Sequence, residues 1–192
     1  MMRRLLFVVL FAGVLIPALA VAANPRVRME TSKGVIVLEL TPDKAPKTVA
    51  NFLDYVRTGH YIGTTFHRVI PGFMVQGGHF MSDFQMGPTR EAVPNEAGNR
   101  LKNLRGTVAM ARTGDPHSAT DQFFINHKDN AFLDYKNDTV EGFGYCVFGK
   151  VVEGMGVVDA IAGVPTGPGG PFPKDVPKQA VVIKSVTLVD AR

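Results

Sequence analysis

Phe66-His67-Arg68-Val69-Ile70-Pro71-Gly72-Phe73-Met74-Val75-Gln76-Gly77-Gly78 consists of two alternating runs on either side of a Pro-Gly pair, the signature of a β-hairpin. With Gly72 as the pivot, the two-residue period of strands sets Arg68 opposite Gln76 and Ile70 opposite Met74 on one face, and turns Val69 and Val75 to the other. An arginine beside a cross-strand amide is a fixed, charged donor fork, able to grip or polarise a carbonyl or nitrogen without moving a proton. Pattern alone favours a plainer reading, in which the polar residues are the wet face of a half-buried hairpin. By parity His67 faces away from Arg68, as a hydrogen-bonded core histidine.

Upstream, residues 26–31 and 35–40 alternate and are joined by Ser32-Lys33-Gly34, which predicts an opening hairpin. Start signals at Pro42 to Pro46, an apolar stripe of Val49, Phe52, Leu53 and Val56, and a stop at Gly59 predict a helix. Downstream, a polar loop over 79–105 precedes expected strands at 107–111, 122–126 and 145–151, a short helix near 154–161 and a last strand at 180–188. Residues 163–173, rich in glycine and proline, read as a surface connection. The expectation is mainly β: a closed eight-stranded antiparallel β-barrel capped by two α-helices, which leaves no free sheet edge. With nothing resembling a coiled coil, a monomer is expected.

Residues 1–22 have the form of a secretory signal peptide: Arg3 and Arg4, an apolar core over 5–16, Pro17, then small residues ending in Ala20-Val21-Ala22. Cleavage after Ala22, or alternatively after Ala20, would release one domain over 23–192 to the periplasm, with no stable membrane insertion afterwards. The apolar run falls short of the ~20 residues that span a bilayer. Loss of the two arginines lowers the formal charge from +4 to +2, too mild for nucleic acid as a partner. Cys146 is the only cysteine, so no internal disulfide forms, and its strand-like setting predicts a buried, inert thiol. The five histidines are scattered without metal-ligand spacing, and neither a phosphate-binding glycine loop nor a serine-hydrolase elbow is present.

In Gln122-Phe123-Phe124-Ile125-Asn126, alternation puts Gln122, Phe124 and Asn126 on one face, repeating the hairpin's mixture of amide and apolar groups. Phe132-Leu133 stands in a polar loop, either as a plug on the core or as part of a pocket wall. The hairpin sequence, together with Gly106-Thr107-Val108-Ala109-Met110-Ala111-Arg112 and Gln122-Phe123-Phe124-Ile125, resembles the cyclophilins. With the leader and Phe132-Leu133-Asp134, the likeness is to the periplasmic members in Gram-negative bacteria.

The resemblance implies a peptidyl-prolyl cis-trans isomerase that uses no cofactor or metal and acts on proline-containing exported polypeptides. Arg68 matches the family's catalytic arginine, with Gln76 and Phe73 beside it. Met74, Phe124 and Leu133 match the proline pocket, and Ala111, Arg112 and Gln122 match the groove for the residues before proline. Three positions depart from the family pattern. Phe132 replaces a tryptophan, which implies weakened affinity for cyclosporin-type ligands; Arg112 replaces an asparagine; and Tyr145 stands where many members have histidine, at the edge of the pocket. The alternative is a chaperone or adhesin that holds proline segments in the same groove without turnover.

Overall fold

A computed structural model describes residues 23–189; the expected signal peptide lies outside the described residues. Strands β1 (Arg26–Thr31) and β2 (Gly34–Leu40) form the opening hairpin, with Val27, Met29, Ile36, Leu38 and Leu40 fully buried. Helix α1 (Pro46–Arg57) buries Val49, Phe52, Leu53 and Val56, as the stripe requires. No side chain caps it from Ala45; instead the Glu96 carboxylate accepts the Lys47 and Thr48 N–H groups at 3.2 and 2.8 Å, an anion placed at the positive helix end.

Strands β3 (Thr64–Ile70) and β4 (Met74–Met81) follow. Their register pairs Arg68 with Gln76, Val69 with Val75 and Ile70 with Met74, as expected. Phe73 N–H donates to Ile70 O at 3.1 Å, and Gly72 takes φ +70° in the third position of this turn, a conformation glycine adopts at little cost. Next come β5 (Thr107–Met110), β6 (Phe123–Asn126), β7 (Val147–Glu153) and α2 (Met155–Ala162). Residues 163–173 were expected to be a plain connection, but much of that stretch is ordered. Strands β8 (Thr166–Gly169) and β9 (Phe172–Pro177) make a small antiparallel hairpin before β10 (Ile183–Val189).

Eight strands form one antiparallel sheet in the order β10-β1-β2-β7-β5-β6-β4-β3. The sheet curls until its edges meet at one end, where Gly63 N–H donates to Ile183 O and Phe66 N–H to Val181 O, with a bridge between Thr65 and Val182. It is a half-closed barrel, because β3 carries register shifts on both sides of Phe66 and such bulges bend a strand away from its partner. The concave face holds the core. Phe123 sits at its centre, edge-on to Phe52, Tyr61 and Phe66.

His67 is buried as expected, but the hydrogen bond expected of it is missing at Nδ1, which finds no partner among the described residues. The ring is held by aromatic packing instead, edge-on to Phe80 and stacked on Phe172 of β9 at 5.6 Å. Burial lowers its pKa to about 4, so it is neutral at pH 7. The polar loop expected to begin at residue 79 starts later, since β4 runs to Met81. Cys146 is buried, and burial pushes its thiol up to about 11.

Candidate active site

Directly paired residues on antiparallel strands share a face. Arg68 on β3 therefore aligns with Gln76 on β4, Phe124 on β6 and Ala109 on β5 in one row across the sheet's convex side. The next row runs from Ile70 through Met74 to Asn126. Together these rows support a small apolar cluster of Met74, Ala109, Phe124, Leu133 and Val147, with Phe73, Ala111 and Tyr145 partly buried around it.

Buried amides fix the loops above this cluster. Asn130 donates through Nδ2 to Phe73 O (2.9 Å) and to Asn126 Oδ1 (2.7 Å), while Asn126 Nδ2 donates to Asn103 Oδ1 and Thr107 Oγ1. The Asp134 carboxylate accepts the Asn103 N–H at 2.8 Å. Because Leu133 N–H donates to Asn130 O, and Tyr145 N–H to Leu133 O, the network sets Phe73, Leu133 and Tyr145 relative to one another. His127 adds a latch at the hairpin turn. Its Nδ1 accepts the Gly72 N–H at 2.9 Å, its own N–H donates to Phe73 O, and its Nε2 lies 3.1 Å from the Asp159 carboxylate.

A cavity of about 100 Å³ opens between Arg68, Phe73, Met74, Gln76, Ala111, Arg112, Phe124, Leu133 and Tyr145. A dry cavity of roughly 150 Å³ takes a benzene ring, so this one suits a five-membered ring better than an indole. A second cavity shares Gln76, Ala111 and Arg112 and continues along Thr113, Ser118, Thr120 and Gln122. Of the residues singled out in the sequence, nine line the first cavity and Gln122 only the second. Phe132 lines neither; it is 65% exposed and stacks on Phe73 at 5.6 Å, forming a rim.

Gln76 Nε2 donates to Gln122 Oε1 at 2.9 Å, whereas Arg68 Nη1 stands 3.5 Å from Gln76 Oε1. The second distance is at the limit of a hydrogen bond, so the Arg68 donors remain available to an incoming group. Sequence reasoning missed what stands behind Gln122. The Asp121 carboxylate is fully buried, and its Oδ2 lies 2.8 Å from both His60 Nε2 and His79 Nδ1, while Oδ1 accepts the Thr120 hydroxyl. Burial pushes the Asp121 pKa up, but the two imidazole hydrogen bonds outweigh it and hold the carboxyl below its usual range. Residues 60, 79 and 121 are too far apart in sequence for any local signal. Among the described residues no group of three such side chains has a geometry suited to a metal ion.

A family model described as Cyclophilin type peptidyl-prolyl cis-trans isomerase/CLD matches residues 26–188. Peptidyl-prolyl cis-trans isomerase B of Escherichia coli K12 is 56% identical over 162 residues, covering 84% of this chain and 98% of the relative. Peptidyl-prolyl cis-trans isomerase A of Dickeya dadantii is 53% identical over 173 residues, covering 90% and 89%. Among solved structures, a cyclophilin type isomerase of Cryptosporidium parvum superposes with TM-score 0.71 at 26% identity, over 88% of this chain and 99% of that one. Another crystal structure of that protein, obtained in the presence of the dipeptide Ala-Pro, superposes with TM-score 0.69.

Proposed function

Because the chain belongs to the cyclophilin type peptidyl-prolyl cis-trans isomerase family and is such an isomerase, we propose that it turns X-Pro bonds of exported polypeptides by stabilising the twisted amide with Arg68. The observation that carries this reading is the placement of the Arg68 guanidinium, with free donors, on the wall of a proline-sized cavity that Phe73, Met74, Phe124 and Leu133 also line.

Resonance gives the peptide C–N bond partial double-bond character and a rotation barrier of ~18–20 kcal/mol, so the uncatalysed step takes roughly 10–100 s. Each ~1.4 kcal/mol removed from the barrier multiplies the rate by ten, and a thousandfold gain requires about 4 kcal/mol of binding that is stronger in the twisted state than in either planar state. Phe73, Met74, Phe124 and Leu133 would hold the proline ring. Rotation then localises the lone pair on the prolyl nitrogen, and Arg68 supplies a donor and positive charge at that point. No nucleophile and no proton transfer is needed, and the stabilisation is of the preorganised electrostatic kind. Gln76, set by Gln122, would meet the substrate carbonyl. Ala111, Arg112 and Gln122 would take the chain before proline along the second cavity, with Tyr145 and Phe132 at the edge. The Ala-Pro dipeptide used with the Cryptosporidium relative supports a proline-containing ligand class.

Residues 1–22 would direct export to the periplasm and be removed there, leaving one catalytic domain over 23–192. N-terminal sequencing of the periplasmic fraction tests this; a retained Met1 would refute it. Arg68→Ala tests the chemistry. Exchange in an X-Pro peptide, followed by NMR without protease, should fall at least a hundredfold while peptide affinity changes by less than about threefold. Full exchange in the variant would remove Arg68 from the mechanism. A folded wild type that binds the peptide without accelerating exchange would leave the groove as a binding site for a chaperone or adhesin.

A further inference from the structure

Among the described residues, the cleft carries two guanidinium groups and no carboxylate. Arg68 and Arg112 line the first cavity and Arg112 also lines the second, and no aspartate or glutamate lines either. Most other arginines are paired: Arg26 with Glu39, Arg28 with Glu30, Arg57 and Arg90 with Asp54, and Arg105 with Asp159. Among the described residues no carboxylate comes within ion-pair distance of Arg68 or Arg112. The cleft is therefore a concave site of one sign, an arrangement that raises the local concentration of an oppositely charged ligand.

Arg112 is also held in place. Its Nε–H donates to Gly144 O at 3.0 Å, its Nη1 donates to Thr113 O at 2.9 Å and more weakly to Gly114 O at 3.4 Å, and Cζ stands 4.6 Å above the Tyr145 ring. These contacts occupy Nε and Nη1 and leave Nη2 without an acceptor among the described residues. A guanidinium fixed in this way loses little further freedom when it meets an anion. Its place on the wall shared by the two cavities puts it beside the residues that immediately precede proline, once the ring fills the first cavity.

We propose that Arg112 sets the charge preference of the enzyme: an Asp or Glu in the two positions before proline is favoured, and a Lys or Arg there is disfavoured. This inference rests on the isomerase reading of the cleft. It gives Arg112 a role in choosing substrates that its contacts to Gly144, Thr113 and Tyr145 alone do not require.

The test is kcat/KM, from NMR exchange, for acetylated and amidated Ala-Xaa-Pro-Phe and Xaa-Ala-Pro-Phe peptides with Xaa as Glu, Ala or Lys, so that only Xaa is charged. For the better position, the Glu:Lys ratio should be about five to ten in 10 mM salt, the effect of one partly screened charge counted as attraction and as repulsion. It should fall below about two in 0.5 M NaCl, where the Debye length contracts to a few ångströms. This arm needs no variant and no assumption about a variant's fold. Arg112→Gln should reduce the ratio to about two, and Arg112→Glu should invert it. Exchange of every peptide with a ratio near one would overturn the inference and leave the isomerase reading standing. A ratio unchanged in both variants would also overturn it, placing the selectivity elsewhere. If no peptide were turned over, the reading of the cleft and the inference would fall together.

Discussion

Replacing Asp121 with asparagine removes the charge behind Gln122 without changing the shape of the side chain. In the wild type, Oδ2 lies 2.8 Å from both His60 Nε2 and His79 Nδ1, and neither oxygen reaches solvent. An amide can keep its oxygen toward the two imidazoles and turn its NH₂ toward the Thr120 hydroxyl, which can rotate to accept. The three contacts then survive, but the two short ones are no longer charge-assisted. Charge-assisted hydrogen bonds contribute roughly 1.5–3 kcal/mol against about 1 for neutral ones, so each imidazole contact loses about 1 kcal/mol. The relief of not burying a charge works the other way. The lowered Asp121 pKa decides the sign, because the fold prefers the ionised form even after burial is counted. Asp121→Asn should therefore destabilise by about 1 kcal/mol at pH 7, the two lost contributions less that relief, a fall in Tm of about 2–4 °C for a chain of this size. Asp121→Ala, which leaves both imidazoles facing a void, should cost about 4 kcal/mol. A carboxyl with a depressed folded pKa contributes stability that is present above its unfolded pKa and lost as pH falls through the folded one. The gap between wild type and Asp121→Asn should accordingly close below about pH 4. Urea unfolding at pH 7 and pH 3 measures both effects. A difference under 0.5 kcal/mol at pH 7, or one that persists undiminished at low pH, would show that the carboxylate does not hold this corner.

At Gly78, φ is +97° and a Cβ would meet Phe123 and Tyr61 ring carbons at 2.9–3.0 Å. Gly78→Ala should therefore destabilise by about 3 kcal/mol from backbone strain and overpacking together, read as a drop in urea midpoint; an unchanged midpoint would mean the core yields more readily than its packing indicates. Cys146 should resist thiol reagents at pH 8 until the protein unfolds, because it is buried and its thiol is pushed up to about 11; fast labelling of the native protein would contradict this. Phe132→Trp should return an indole donor to the exposed rim beside Phe73 and tighten cyclosporin binding about fivefold to tenfold by calorimetry, with turnover changed much less. Equal affinities would exclude position 132 from that ligand's contacts.

The parts of the fold legible in the sequence were those with local physical signals. Pro71-Gly72 and the alternation around it set the register of β3 and β4, and the stripe Val49, Phe52, Leu53, Val56 set the buried face of α1. Alternation in β6 likewise separated Phe124, on the cleft side, from Phe123 and Ile125 in the core. The β8–β9 hairpin escaped because Thr-Gly-Pro-Gly has no apolar alternation; its packed side chains, Phe172 and Val176, come from β9. Incomplete closure escaped because the bulges around Phe66 leave no mark in composition. At the site, residue identity was readable where one strand pair carried it, as with Arg68 and Gln76. The His60–Asp121–His79 cluster and the His127 latch depend on segments that meet only after β4 and β6 pair. The locking of Arg112 depends on loop carbonyls at Thr113 and Gly144, whose direction no side-chain pattern encodes.

Citrulline at position 68 tests most directly whether the charge of Arg68 lowers the rotation barrier, since it keeps the shape of the side chain and three of the five N–H groups of a guanidinium while losing the charge and gaining a carbonyl oxygen. Semisynthetic protein with this change, compared with wild type by NMR exchange on one X-Pro peptide, is predicted to lose about a hundredfold in exchange rate, roughly 2.7 kcal/mol of barrier, while binding the peptide with similar affinity. Exchange as fast as in the wild type would mean that shape and the apolar cavity suffice, and that electrostatic stabilisation by Arg68 is not how the bond is turned.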